Sequence, residues 1–131
     1  MATSLLDTTV LIDALRGRPA AGRMKGLRAA GEAVPYVCAI NIEELARGLR
    51  EGEEQALARL LDGLRLAPIT REDAERAGRW RRDFAAQGVT LSQADCLIAA
   101  AAAGVGARLI TGNPKDFPMP ELSVEHWPVG E

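Results

Sequence analysis

Short apolar runs alternate along this chain with stretches of helical periodicity. Leu5-Leu6 form the first run, Asp7-Thr8-Thr9 interrupt it, and Val10-Leu11-Ile12 resume it. A strand that is apolar on both sides predicts the central strand of a parallel sheet. Its polar tip then falls at the carboxyl edge, where open α/β sheets bind ligands. Residues 10–16 predict a short helix stopped by Gly17 and Pro19. A second helix is predicted over about 19–30, with Pro19 at its start and Gly31 past its end. Residues 33–38 form the next strand candidate, and Pro35 sends it either to an edge or to a strand start.

Three stretches carry a capping-box pattern: Asn41 with Glu44, Thr70 with Asp73, and Ser92 with Asp95. The first opens a helix that Gly48 interrupts. The pattern resumes over 51–64, with Leu57, Leu60, Leu61 and Leu64 on one face. A short strand is expected at 66–69. The second box opens a helix to about Gln87, in which Trp80 and Phe84 read as core. The third opens a helix that is solid alanine over 99–103, small enough to lie close against a sheet. Residues 108–111 are the next strand, and 122–124 a final edge strand after the Pro-rich loop 114–120. Strands alternating with helices predict an α/β fold, a parallel sheet with helices on both faces. Residues 1–131 are expected to form a single domain.

Composition narrows this picture. The formal net charge is −2, from 16 basic and 18 acidic residues, so no overall basic field is available to coat nucleic acid. A nuclease with a local acidic pocket and local basic contacts is still allowed. The longest uncharged apolar run, 96–105, is far short of the roughly 20 residues a membrane span needs. No basic region precedes the first strand, so no secretory signal is expected. Cys38 and Cys96 lie far apart outside any CxxC pattern and are expected as buried thiols in a reducing, cytoplasmic setting.

The architecture sends Asp7, Glu44, Asp95 and Asn113 toward one edge of the sheet. Carboxylates gathered there repel one another unless a cation sits between them. Oxygen ligands without His or Cys suit Mg²⁺ or Mn²⁺. The competing reading is structural: Asp7 begins a helix, and Glu44 and Asp95 sit where capping boxes place an acid, as Asp73 does without evident chemistry.

A resemblance favours the first reading. The run from Leu5 to Asp13 resembles the opening of PIN-domain ribonucleases of the VapC toxin type. Glu44-Leu45-Ala46-Arg47-Gly48 is similar to the family's Glu-Leu-x-x-Gly, and Pro68-Ile69-Thr70 continues the match. So do the stretches from Gly88 to Ala99 and from Leu109 to Phe117. The resemblance implies a Mg²⁺- or Mn²⁺-dependent endoribonuclease acting on RNA, restrained by a VapB-like antitoxin and expected as a homodimer. It implies Asp7, Glu44 and Asp95 as catalytic and metal-holding acids, with Thr9 as a small polar accessory. The fourth position, commonly Asp, is Asn113, which leaves open whether Asn113 or nearby Asp116 contributes. The spacing to Gly48 favours Glu44 over Glu43. Arg16, Arg47, Lys115 or the Arg76/Arg79/Arg82 stripe are candidates for holding the RNA backbone, the stripe reading more readily as a solvated face. His126, the only histidine, is expected as a bystander in the C-terminal tail.

Two other classes are set aside. A haloacid-dehalogenase phosphatase needs a second Asp where Thr9 stands, and a receiver domain needs an acidic pair that is missing. The alternative kept open by Asn113 is a PIN-like binding module with weak or no catalysis.

Overall fold

A computed structural model describes residues 2–130. In chain order the elements are β1 (Ser4–Leu6), α1 (Thr8–Leu15), α2 (Pro19–Ala29), β2 (Tyr36–Cys38), α3 (Ala39–Arg47) and α4 (Glu54–Asp62). Then come β3 (Arg65–Ala67), α5 (Arg71–Ala86), α6 (Gln93–Gly104), β4 (Arg108–Thr111), a 3-10 turn (Pro114–Asp116) and β5 (Val124–His126). The strands form one parallel sheet in the order β3-β2-β1-β4-β5. The expected α/β fold, with β1 at the centre, is what the chain adopts.

Alternation along β1 feeds two cores. Leu5 packs into one cluster with α5 and α6, and Leu6 into the other with α1 to α4. Pro35 lies one residue before β2, an inner strand, so it marks a strand start and not an edge. The chain leaves β1 for β2 and β3 on one side, then returns to β4 and β5 on the other. The strand order therefore reverses between β1 and β4, which pair in the register Leu6↔Ile110. A crevice opens outside the carboxyl ends of strands at such a point.

One predicted helix start is corrected. Asn41 does not cap α3: that helix begins at Ala39, directly after β2, with Cys38 at the cap position. Asn41 is the third helical residue, and its Oδ1 accepts from the Cys38 amide at 3.0 Å. With no loop between strand and helix, the chain caps itself three residues earlier than its residue types suggested. Glu44 is thereby moved into the body of the helix and is not a capping acid. The Thr70 box does form: Asp73 N–H donates to Thr70 Oγ1 at 3.1 Å, and Thr70 N–H to Asp73 Oδ2 at 3.0 Å. β5 starts two residues later than expected, which takes His126 out of a tail and onto an exposed edge strand.

Ala99 to Ala102 are fully buried in α6, under the sheet on one side and α5 on the other. Both cysteines are free buried thiols, as expected. Because this layer is closed by methyl groups, added volume has nowhere to go. Ala100→Leu is expected to cost about 1–3 kcal/mol by overpacking, read as a lowered urea midpoint with an unchanged m-value.

Candidate active site

β1 and β4 end side by side, and the residues past their apolar runs meet in the crevice. The Asp7 amide still donates to the Ile110 carbonyl at 2.9 Å, and its own carbonyl accepts from Val10 and Leu11 to start α1. Its side chain makes no capping bond. Instead Oδ2 accepts hydroxyl protons from Thr111 at 2.7 Å and Thr9 at 3.0 Å. Backbone amides orient both hydroxyls: Gly112 N–H donates to Thr9 Oγ1 at 2.9 Å and Asn113 N–H to Thr111 Oγ1 at 3.0 Å. Asp7 is buried and Thr111 fully so. A Cβ on Gly112 would come within 2.6 Å of a Val129 methyl and 3.3 Å of Thr9 Oγ1, so this turn requires glycine.

Glu44 reaches the same crevice from α3. Its Oε1 accepts from Thr8 Oγ1 at 2.6 Å, and Thr8 in turn accepts from Asn41 Nδ2 at 3.0 Å. Asn41 is completely buried, and its Oδ1 also takes the Cys38 thiol proton at 3.1 Å. One amide side chain thus ties the end of β2 to α1 and, through Thr8, to Glu44. Glu43 is exposed on the same helix and lies 4.0 Å from Arg47.

Asp95 stands in the first turn of α6, where its amide donates to Ser92 Oγ at 3.0 Å. Among the described residues the return bond of a full capping box is not made there, unlike at Asp73. Burial pushes the Asp95 carboxyl above its ordinary range, and the charges of Asp116, Asp7 and Glu44 push it the same way against the pull of Ser92. Burial likewise raises Asp7, with Glu44 adding to it and the hydroxyls of Thr111 and Thr9 opposing. Asp7, Glu44, Asp95 and Asp116 therefore share one electrostatic field. Asn113 is exposed, and its amide donates to Asp116 Oδ2 at 2.8 Å.

Every candidate acid and accessory group converges on this edge. The sequence reading missed Thr8, Asn41 and Thr111. Thr111 carried a signal, as the polar end of an apolar strand parallel to the one bearing Asp7. Of the basic candidates, Arg16 is bridged to Glu53 at 3.4 Å and Arg47 faces Glu43. The donors in the crevice are all oxygens. Among the described residues no three His, Cys, Asp or Glu side chains stand close enough to form a complete metal cage.

A family model described as PIN domain matches residues 4–118. Ribonuclease VapC19 of Mycobacterium tuberculosis is 37% identical over 120 residues, covering 90% of this chain and 95% of that protein. Ribonuclease VapC10 of the same organism is 35% identical over 115 residues, covering 88% and 86%. Among solved structures, VapBC2 from Rickettsia felis, bound to a DNA fragment from the promoter, superposes with a TM-score of 0.81 at 25% identity. That match covers 95% of this chain and 98% of the other.

Raised carboxyl pKa values are also statements about stability. An acid whose folded pKa lies above its unfolded value, here 3.8 for Asp7 and Asp95, destabilises the fold once the pH passes the unfolded value. The stability is fully present below that pH and is lost as pH rises through the folded pKa. Asp7→Asn and Asp95→Asn should each raise the melting temperature at pH 7 in chelator. The gain should shrink as the pH is lowered toward about 4. Thermal scans from pH 4 to 8 check both the sign and the window.

Proposed function

The chain belongs to the PIN domain family, and we propose that it is a Mg²⁺- or Mn²⁺-dependent endoribonuclease toxin that hydrolyses RNA phosphodiester bonds. The observation that carries this reading is the Asp7 carboxylate, oriented by two hydroxyls and set in one field with Glu44, Asp95 and Asp116. Residues 1–131 act as one catalytic unit in the cytoplasm. No helix among the described residues is long and apolar enough to cross a membrane.

The donor set fits a hard divalent cation. Buried carboxylates held in one field are relieved by positive charge between them, and Mg²⁺ characteristically takes one or two carboxylates and fills its shell with water and substrate phosphate. Asp7 and Asp95 would hold the cation, with Glu44 beside them. When bound, it supplies charge neutralisation on the phosphodiester and a lowered pKa for water.

The remaining roles fall to the chain itself. Thr9 and Thr111 both donate to Asp7 Oδ2 and so fix the orientation of the carboxylate. Thr8 fixes Glu44 Oε1, which leaves Oε2 to accept a hydrogen bond from the attacking water and to hold its proton. Asn113 brings no charge, but its amide steers Asp116, so a fourth acid is supplied three residues on. This weighs against the reading as a module without catalysis.

The family also supplies a partner, a VapB-like antitoxin. A groove of about 570 Å³ between α1, α2 and α4 has an apolar floor that includes Ala14, Met24, Leu60 and Leu64, with Lys25 and Arg28 at its margin. It suits an amphipathic helix laid apolar face down.

Two outcomes test the site. Asp7→Asn should lower RNA cleavage in Mg²⁺ or Mn²⁺ by more than the roughly 10–100-fold typical of a lost outer-shell partner, with an unchanged circular dichroism spectrum. Parent-like cleavage by that variant would remove Asp7 from the chemistry. Glu44→Gln should cost at least about tenfold, whereas Glu43→Gln should stay within about twofold, as exposed substitutions do. Initial rates on a labelled RNA check the contrast, and the reverse order would transfer the role to Glu43.

A further inference from the structure

The α5 stripe at Arg76, Arg79 and Arg82 has helical spacing, but packing singles out a different arginine. Asp73, Ala77 and Trp80 are buried on α5, with Phe84 half-buried beside them. At about 100° per residue, Arg82 lies about 170° from the centre of that buried face and Arg79 about 130°. Arg81 lies only about 70° away, at the margin where α5 meets α6. Arg76 lies about as far on the other side, but beside Ala103, Gly104 and Val105 at the far end of α6. Trp80 holds this rotation fixed, since its Nε1 donates to Glu121 Oε2 at 2.6 Å.

Height along the helix is fixed as well. α5 and α6 are consecutive, pack along each other and run antiparallel. Their far ends are set by Asp73, against which a Cβ on Gly104 would sit only 2.5 Å from Oδ1. Eight residues along α5 from Asp73 lead to Arg81, a rise of about 12 Å. Eight residues back along α6 from Gly104 lead to Cys96, the neighbour of Asp95, by the same rise. Arg81 therefore stands level with the first turn of α6.

Arg81 is exposed, and among the described residues no carboxylate takes its guanidinium. Arg16, Arg47, Arg71, Arg82 and Arg108, by contrast, all have acidic neighbours within 4.0 Å. We propose that Arg81 is a phosphate-binding residue that holds the backbone of single-stranded RNA on the α5–α6 flank of the acidic crevice. A crevice lined by carboxylates repels a polyanion, so a cation is needed beside it to keep the strand in reach. A guanidinium suits this because its planar fork binds phosphate through two parallel hydrogen bonds.

The inference rests on the endoribonuclease reading, and the test separates the two. Binding of a fluorescently labelled single-stranded RNA is followed by anisotropy in chelator, over a series of salt concentrations, for parent, Arg81→Ala, Arg79→Ala and Arg82→Ala. Each of these residues is exposed on α5, so none of the substitutions disturbs the core. Arg81→Ala should weaken binding about tenfold, as expected for one charged hydrogen-bonding contact. It should also flatten the log–log salt slope by about 0.7, the release expected for one phosphate of a single strand. Arg79→Ala and Arg82→Ala should stay within about twofold of parent. Parent binding with no loss in Arg81→Ala, or an equal loss in all three variants, would overturn the Arg81 assignment alone. A parent that binds no RNA in chelator would likewise overturn the Arg81 assignment, whereas the endoribonuclease reading falls only if the parent fails to cleave the same RNA in Mg²⁺ or Mn²⁺.

Discussion

The carboxyl edge depends on one grip: two hydroxyl protons aimed at Asp7 Oδ2. Thr9 belongs to α1 and Thr111 to β4, so the bonds that orient the acid also tie the first helix to the neighbouring strand. The hydroxyls have no freedom to turn away, because backbone amides of the loop after β4 already occupy their acceptor sides. The acid is thus oriented by the junction of the sheet. Such an arrangement trades stability for readiness: the same burial and like charges that make the crevice hungry for a cation oppose the fold that creates it.

How much of this could be read in advance depended on whether the cause was local. β1 announced itself because a strand buried on both faces must be apolar on both sides, and Leu5 and Leu6 divide between two cores as that requires. The alanines of α6 announced a close approach for the same reason. Asn41 misled because its residue type is right for a helix cap while its place is decided by the absence of a loop after β2. Thr111 went unnamed because its partner lies 104 positions away, and only the pairing of β1 with β4 brings them together. The arginines of α5 show the same limit. Spacing grouped Arg76, Arg79 and Arg82, but the rotation of the helix, pinned through Trp80, and the height set where Asp73 meets Gly104 decide which side chain is proposed to stand beside the crevice.

The two faces of the sheet are built differently, and the proposed interactions divide along that line. One face is sealed by α6 and α5 and has the proposed RNA contact at its upper margin. The other carries α1 to α4 and the groove proposed for a partner helix, which runs toward Glu32 and Pro35 before the start of β2. That end of the groove lies away from the carboxyl ends of the strands. A partner that merely filled the groove would leave the crevice at Asp7, Glu44 and Asp95 uncovered. Inhibition at the acids would require a second segment that continues over the edge, where a basic side chain could pair with the carboxylates.

The alanine layer of α6 also sets how Asp95 is held in entropic terms. Leucine or methionine in a core must surrender rotamers to become ordered, and that freedom returns on warming. Alanine has none to surrender, and four alanines fully buried in a row support the helix whose first turn carries Asp95. Side-chain disorder cannot build up beneath the acid before the backbone itself gives way. The carboxylate is mounted on a support that holds its place until the helix melts.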